Sequence, residues 1–155
     1  MKPRKHWWVW ILVGLYIYMI FHNSMMVASA SESLSLKVTH FFAAHIERFG
    51  LYVSDINTLN HYVRKAAHFS EFAGLGFLVT IAMHICPLFH SRFLNFALFL
   101  FAVPFADETI QRYVPGRGPS GWDMLIDGSG FLFGGLLAYI LVLIIKDIFF
   151  HKKKH

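Results

Sequence analysis

Between Gly128 and Ile145 the chain carries no charged residue. Wound into a helix at about 1.5 Å per residue, that run is about 27 Å long, close to the roughly 30 Å of a bilayer's hydrocarbon core. Apolar runs approach this length at about 7–27, 66–89, 93–110 and 127–150. A soluble domain of 155 residues has too small an interior for 56% hydrophobic residues, with 17% aromatics overall. The pattern predicts an all-α fold: a polytopic integral membrane protein, a four-transmembrane-helix bundle forming a single domain over 1–155. Cys86 is the one cysteine, so an internal disulfide and a thiolate metal cluster are excluded and a packing role is expected.

Charge sets the expected orientation. Lys2, Arg4 and Lys5 precede the first run, Arg92 lies between the second and third, and Lys146, Lys152, Lys153 and Lys154 close the fourth. These positions fall on one side of the bilayer, which the positive-inside rule assigns to the cytoplasm. Both termini are therefore expected to be cytoplasmic, in a multi-pass protein of the cell membrane. Of the acidic residues only Asp147 shares that side. The basic balance points to the lipid bilayer and its anionic headgroups as partners, not to nucleic acid. MKPRK, an apolar run and VASASES also resemble a secretory signal, but apolar character continues through Met25, Met26 and Val27, longer than the usual core of about 7–15 residues, so a retained helix is preferred.

Between the first two runs, Leu34, Val38, Phe41, Phe42, His45 and Phe49 recur at helical spacing, with Glu32, Lys37, Glu47 and Arg48 off that stripe. This predicts an amphipathic interfacial helix over about 31–49 on the outer leaflet, or a cap packed on the bundle. Ser29 and Glu32 offer a capping box and Gly50 a stop.

A count of depth brings the remaining charges together. A helix entering at Arg92 has risen only about 21 Å when it reaches Asp107 and Glu108, so these carboxylates lie below the outer surface. Glu71, with His68, Lys65 and Arg64 above it, and Asp127, with Asp123 above it, reach the same level on their own helices. Arg64, His68 and Glu71 share a helix face, as do Asp107 and Gln111, and Asp123 and Asp127. Gly130 and Gly134 allow close approach of a neighbouring helix, and the turn-rich GRGPSG at 116–121 can lay Arg117 over the cluster. Burying such charge costs roughly 2.5–3.5 kcal/mol per residue at mid-bilayer, so the groups must pair, bind something or line a wet cavity.

VRKAAHFSEFAGLG at 63–76, DETIQRYVPGRG at 107–118 and WDMLIDGSGFLFG at 122–134 resemble, in order and spacing, three signature stretches of the VanZ-like membrane proteins. Phe72 stands where that family often has tyrosine, and Asp127 where many members have asparagine. The resemblance implies a membrane protein associated with lowered susceptibility to the glycopeptide teicoplanin. It carries no catalytic residues over.

The polar layer has three readings. Its cations could bind an anionic headgroup, such as a lipid-linked cell-wall precursor, or an anionic envelope polymer, through arginine forks. Its carboxylates and His68 could instead hold Mg²⁺, Mn²⁺ or Zn²⁺ or act as a general base, making the protein an enzyme on a lipid-linked or phosphorylated envelope substrate. Finally, the layer could be an ion-pair network that only fixes packing. Anion recognition leads, because surrounding arginines and lysines would repel a dedicated divalent ion unless they neutralise surplus carboxylates or bind substrate phosphate. The candidate binding residues are Arg64, Lys65, His68, Glu71, Asp107, Glu108, Gln111, Arg117, Asp123 and Asp127. No metal and no cofactor is assigned, and Ser70 and Ser120 lack the paired base of an activated nucleophile.

Overall fold

The computed structural model describes residues 6–50, 52–118 and 120–151. The terminal cations Lys2, Arg4, Lys5, Lys152, Lys153 and Lys154 lie outside the described residues. Five helices follow one another: α1 (Val9–Ser24), α2 (Ala28–Arg48), α3 (Ile56–Ile85), α4 (Arg92–Arg112) and α5 (Gly121–His151). Among the described residues there is no strand.

Helices α3, α4 and α5 are long and apolar enough to cross a membrane, and the chain reads as a multi-pass membrane protein. The run expected at 7–27 is helical only over 16 residues in α1, about 24 Å of rise. It is long and apolar enough for a span only together with α2, from which it is bent by 104°. The break follows HNS at 22–24, where polar side chains interrupt the apolar run.

Local signals explain the other boundaries. Helix α3 begins ten residues before the apolar run because Asp55 caps it, accepting the Asn57 N–H at 2.9 Å and the Thr58 hydroxyl at 2.5 Å. Arg64, Lys65 and His68 are therefore inside a continuous helix. Between α3 and α4, Asn95 closes the turn by accepting the Phe89 N–H and donating to the Phe89 and Ser91 carbonyls. Gly50 ends α2 with a φ of 79°, as a left-handed stop requires. The capping box expected at Ser29 and Glu32 does not form. The cap is Val27, without a side-chain bond, and α2 starts at Ala28, whose N–H donates to the Pro115 carbonyl at 3.4 Å. That earlier start carries Ser29 into the first turn, where it is no longer a cap.

The most extensive packing joins α3 to α5. A Cβ added at Gly76 would run into the Phe131 carbonyl, one at Gly130 into that of Phe69, and one at Gly134 into that of Ala73. Backbone meets backbone at all three, which is the close approach that small residues permit within a bilayer. Around this seam Phe72, Leu75, Val79 and Phe131 are buried, with Val13 and Ile20 of α1 against them. Cys86 is buried with a free thiol, and Trp10 donates its indole N–H to the Cys86 carbonyl at 2.7 Å while stacking on Phe99. Large apolar side chains such as Phe101, Leu136 and Ile144 point outward, as lipid contact demands.

Candidate functional site

The close α3–α5 seam sets His68 beside Asp127, Nδ1 to Oδ1 at 3.4 Å. Asp107 of α4 joins them: one ligand atom from each of His68, Asp107 and Asp127 lies within 4.8 Å of the others. Asp107 and Asp127 are wholly buried. The Asp107 carboxylate accepts the Ser24 hydroxyl on Oδ1 and the Gln111 amide on Oδ2, the latter at 2.6 Å. Gln111 sits four residues on, so both side chains project from one face of α4. Asp127 has no such support: neither of its oxygens has a hydrogen-bond partner among the described residues.

Two cavities open beside this triad and share Arg64, His68 and Arg117 as lining. The first is polar, about 470 Å³, with Lys65, Gln111 and Asp123 also in its wall. The second, about 260 Å³, is walled by Leu34, Val38, Val63 and Ala67 with Glu71. Lys65 pairs with Asp123 at 3.4 Å, each side chain about a third exposed. Glu71 accepts the Asn23 amide at 2.8 Å.

Arg117 is held, not loose on its glycine-rich loop. Its guanidinium donates to the Ser24 carbonyl at 3.3 Å and the Ser31 hydroxyl at 2.6 Å, spanning the α1–α2 bend, and its Nε is buried without a partner. Burial, and then the charge of Arg64, hold Arg117 below the usual guanidinium range. Arginine titrates so high that it remains a cation. Arg64 makes no hydrogen bond or ion pair with another described residue.

Glu108 faces away from the triad. It turns toward a separate cavity of about 230 Å³ lined by Phe105, Arg112 and Ser120, where its Oε2 accepts the Ser120 N–H at 2.8 Å. Consecutive helical residues point about 100° apart, so Asp107 and Glu108 cannot both face the centre. Conversely, Asn23, Ser24 and Ser31 were not among the expected site residues. The signal for the first two was present as a polar pair interrupting an apolar helix end.

Neither a curated protein nor a solved structure matches the chain. A family model described as VanZ/LLP1 matches residues 8–144, a range that takes in α1 to α4, both cavities and the buried triad. The chain belongs to the VanZ/LLP1 family.

Proposed function

We propose that the polar cavity recognises an anionic, lipid-linked component of the cell envelope at the outer leaflet of the cell membrane, and so lowers susceptibility to teicoplanin-type glycopeptides. The observation that carries this reading is the convergence of Arg64 and Arg117 on two adjoining cavities of opposite character. Like charges held together in a half-buried wall favour an anion between them, and guanidinium forks match phosphate oxygens. The apolar-walled cavity beside them offers room for the hydrocarbon part of the same molecule. In this arrangement α1 makes the fourth crossing, α2 lies along the outer leaflet with Phe41 and Phe42 toward lipid, and both termini are cytoplasmic.

A purely structural network has less support. The ion pairs beside the cavities are Lys65–Asp123 and His68–Asp127, and Arg64 contributes to neither. Arg64→Gln therefore separates the readings. Expressed in a teicoplanin-susceptible bacterium, the variant should reach wild-type abundance and lose the susceptibility phenotype, with partial recovery in Arg64→Lys. An undiminished phenotype in Arg64→Gln at matched abundance contradicts the proposal.

A further inference from the structure

We infer that His68, Asp107 and Asp127 form a binding site for one divalent cation of the Zn²⁺ or Mn²⁺ class. Three helices each supply one ligand atom, and these atoms lie within 4.8 Å of one another. An ion bonded at about 2.0–2.2 Å to each in tetrahedral geometry sets the ligand atoms about 3.3–3.6 Å apart, so the side chains draw in by up to about 1.5 Å when it binds.

The independent observation is Asp127. Its side chain is fully buried and both of its oxygens lack hydrogen-bond partners, while the buried Nδ1 of His68 also lacks one. At 3.4 Å, His68 and Asp127 form an ion pair without a hydrogen bond between them. Leaving a buried carboxyl and a buried ring nitrogen without hydrogen bonds is costly, and an ion between them satisfies both.

Charge points the same way. The arginines and lysine expected to repel a metal are engaged elsewhere or stand off: Lys65 pairs with Asp123, Arg117 with Ser24 and Ser31, and none forms an ion pair with Asp107 or Asp127. Two wholly buried carboxyl groups thus lie beside one imidazole, which pairs with Asp127.

The surroundings have the form of a metal centre. Ser24 and Gln111 orient Asp107 by hydrogen bonds to its two oxygens, as supporting groups orient ligating carboxylates. One imidazole nitrogen with two carboxylates suits Zn²⁺ or Mn²⁺ better than Mg²⁺ or Ca²⁺, which favour oxygen-only shells. Three protein ligands leave coordination positions open. His68 and Gln111 also line the polar cavity, so an ion can enter from there, and water or an anion's oxygen can fill the open positions. Cation binding stands whether or not the arginines hold an anion.

The test uses the full chain in detergent micelles, stripped with chelator and titrated with Zn²⁺ or Mn²⁺ alone. Wild type should bind one ion per chain. Asp127→Asn and His68→Gln should each weaken binding by at least about tenfold, while Glu47→Gln, an exposed carboxylate on α2, retains wild-type affinity. With Mn²⁺ bound, pulsed electron paramagnetic resonance should show one directly coordinated imidazole nitrogen, and that coupling should vanish in His68→Gln. Should Asp127→Asn not fold, His68→Gln alone decides, because His68 reaches the cavity surface and its coupling is read directly. Equal affinity in wild type and every folded variant marks adventitious binding and overturns the site. Absence of binding at micromolar ion, or a nitrogen coupling that survives in His68→Gln, overturns it as well.

Discussion

Asn23 Nδ2 donates to Glu71 Oε1 at 2.8 Å, tying the last turn of α1 to α3. Its neighbour Ser24, buried in this seam, donates to Asp107 of α4. Two adjacent polar residues at the end of an apolar helix therefore hold acidic groups from two other helices. The cavities lie where these ties converge.

Removing such a tie leaves an acidic group short of a donor. Ser24→Ala should destabilise the protein by about 1–3 kcal/mol, the cost of an unsatisfied buried partner. Ser33→Ala, where an exposed hydroxyl bonds only its own helix, should stay within about 0.5 kcal/mol. Reversible unfolding in mixed micelles measures both.

The α3–α5 seam should tolerate no added methyl group. Gly134→Ala drives a Cβ into the Ala73 carbonyl and should cost about 1–3 kcal/mol or more by overpacking. Gly14→Ala meets nothing within 4 Å and should stabilise α1 by up to about 1 kcal/mol through helix propensity. The same unfolding measurement reads the opposite signs.

Much of this architecture was legible in the sequence. A rise per residue and a bilayer thickness were enough to bring Glu71, Asp107 and Asp127 to one depth with His68 a turn above, and GSGFLFGG announced the close packing that Gly130 and Gly134 provide. Depth does not fix azimuth, however. Asp107 and Glu108 occupy one level yet face different cavities, because neighbouring helical residues diverge. The tertiary partners of α1 were hidden for another reason: hydropathy averages Asn23 and Ser24 away within an apolar window, although two hydrogen-bonding side chains cannot face hydrocarbon unpaired. The start of α3 was readable from Asp55 as a cap, a signal that a search for apolar runs passes over.

The two arginines should behave differently. Arg117 bonds Ser24 and Ser31 across the α1–α2 bend, so Arg117→Ala should cost about 1.5–3 kcal/mol, in the range of hydrogen bonds to charged groups. Arg64→Gln should be close to neutral in stability. Thermal melting of both variants in one detergent distinguishes them, and equal losses would give Arg64 a structural role.

The Lys65–Asp123 pair is partly exposed and should contribute less than about 1 kcal/mol. A double-mutant cycle through Lys65→Ala and Asp123→Ala measures the coupling. A value of several kcal/mol would favour a network that exists to hold the helices together.

Recognition of an anionic envelope lipid is tested most directly by what the protein carries out of the membrane. Native mass spectrometry of wild type and Arg64→Gln, extracted side by side from a teicoplanin-susceptible host, resolves bound anionic lipid by mass and stoichiometry. Wild type should retain one phosphate-bearing lipid per chain, and Arg64→Gln should lose it while remaining folded. Equal retention by both proteins, or none by wild type, would contradict the account.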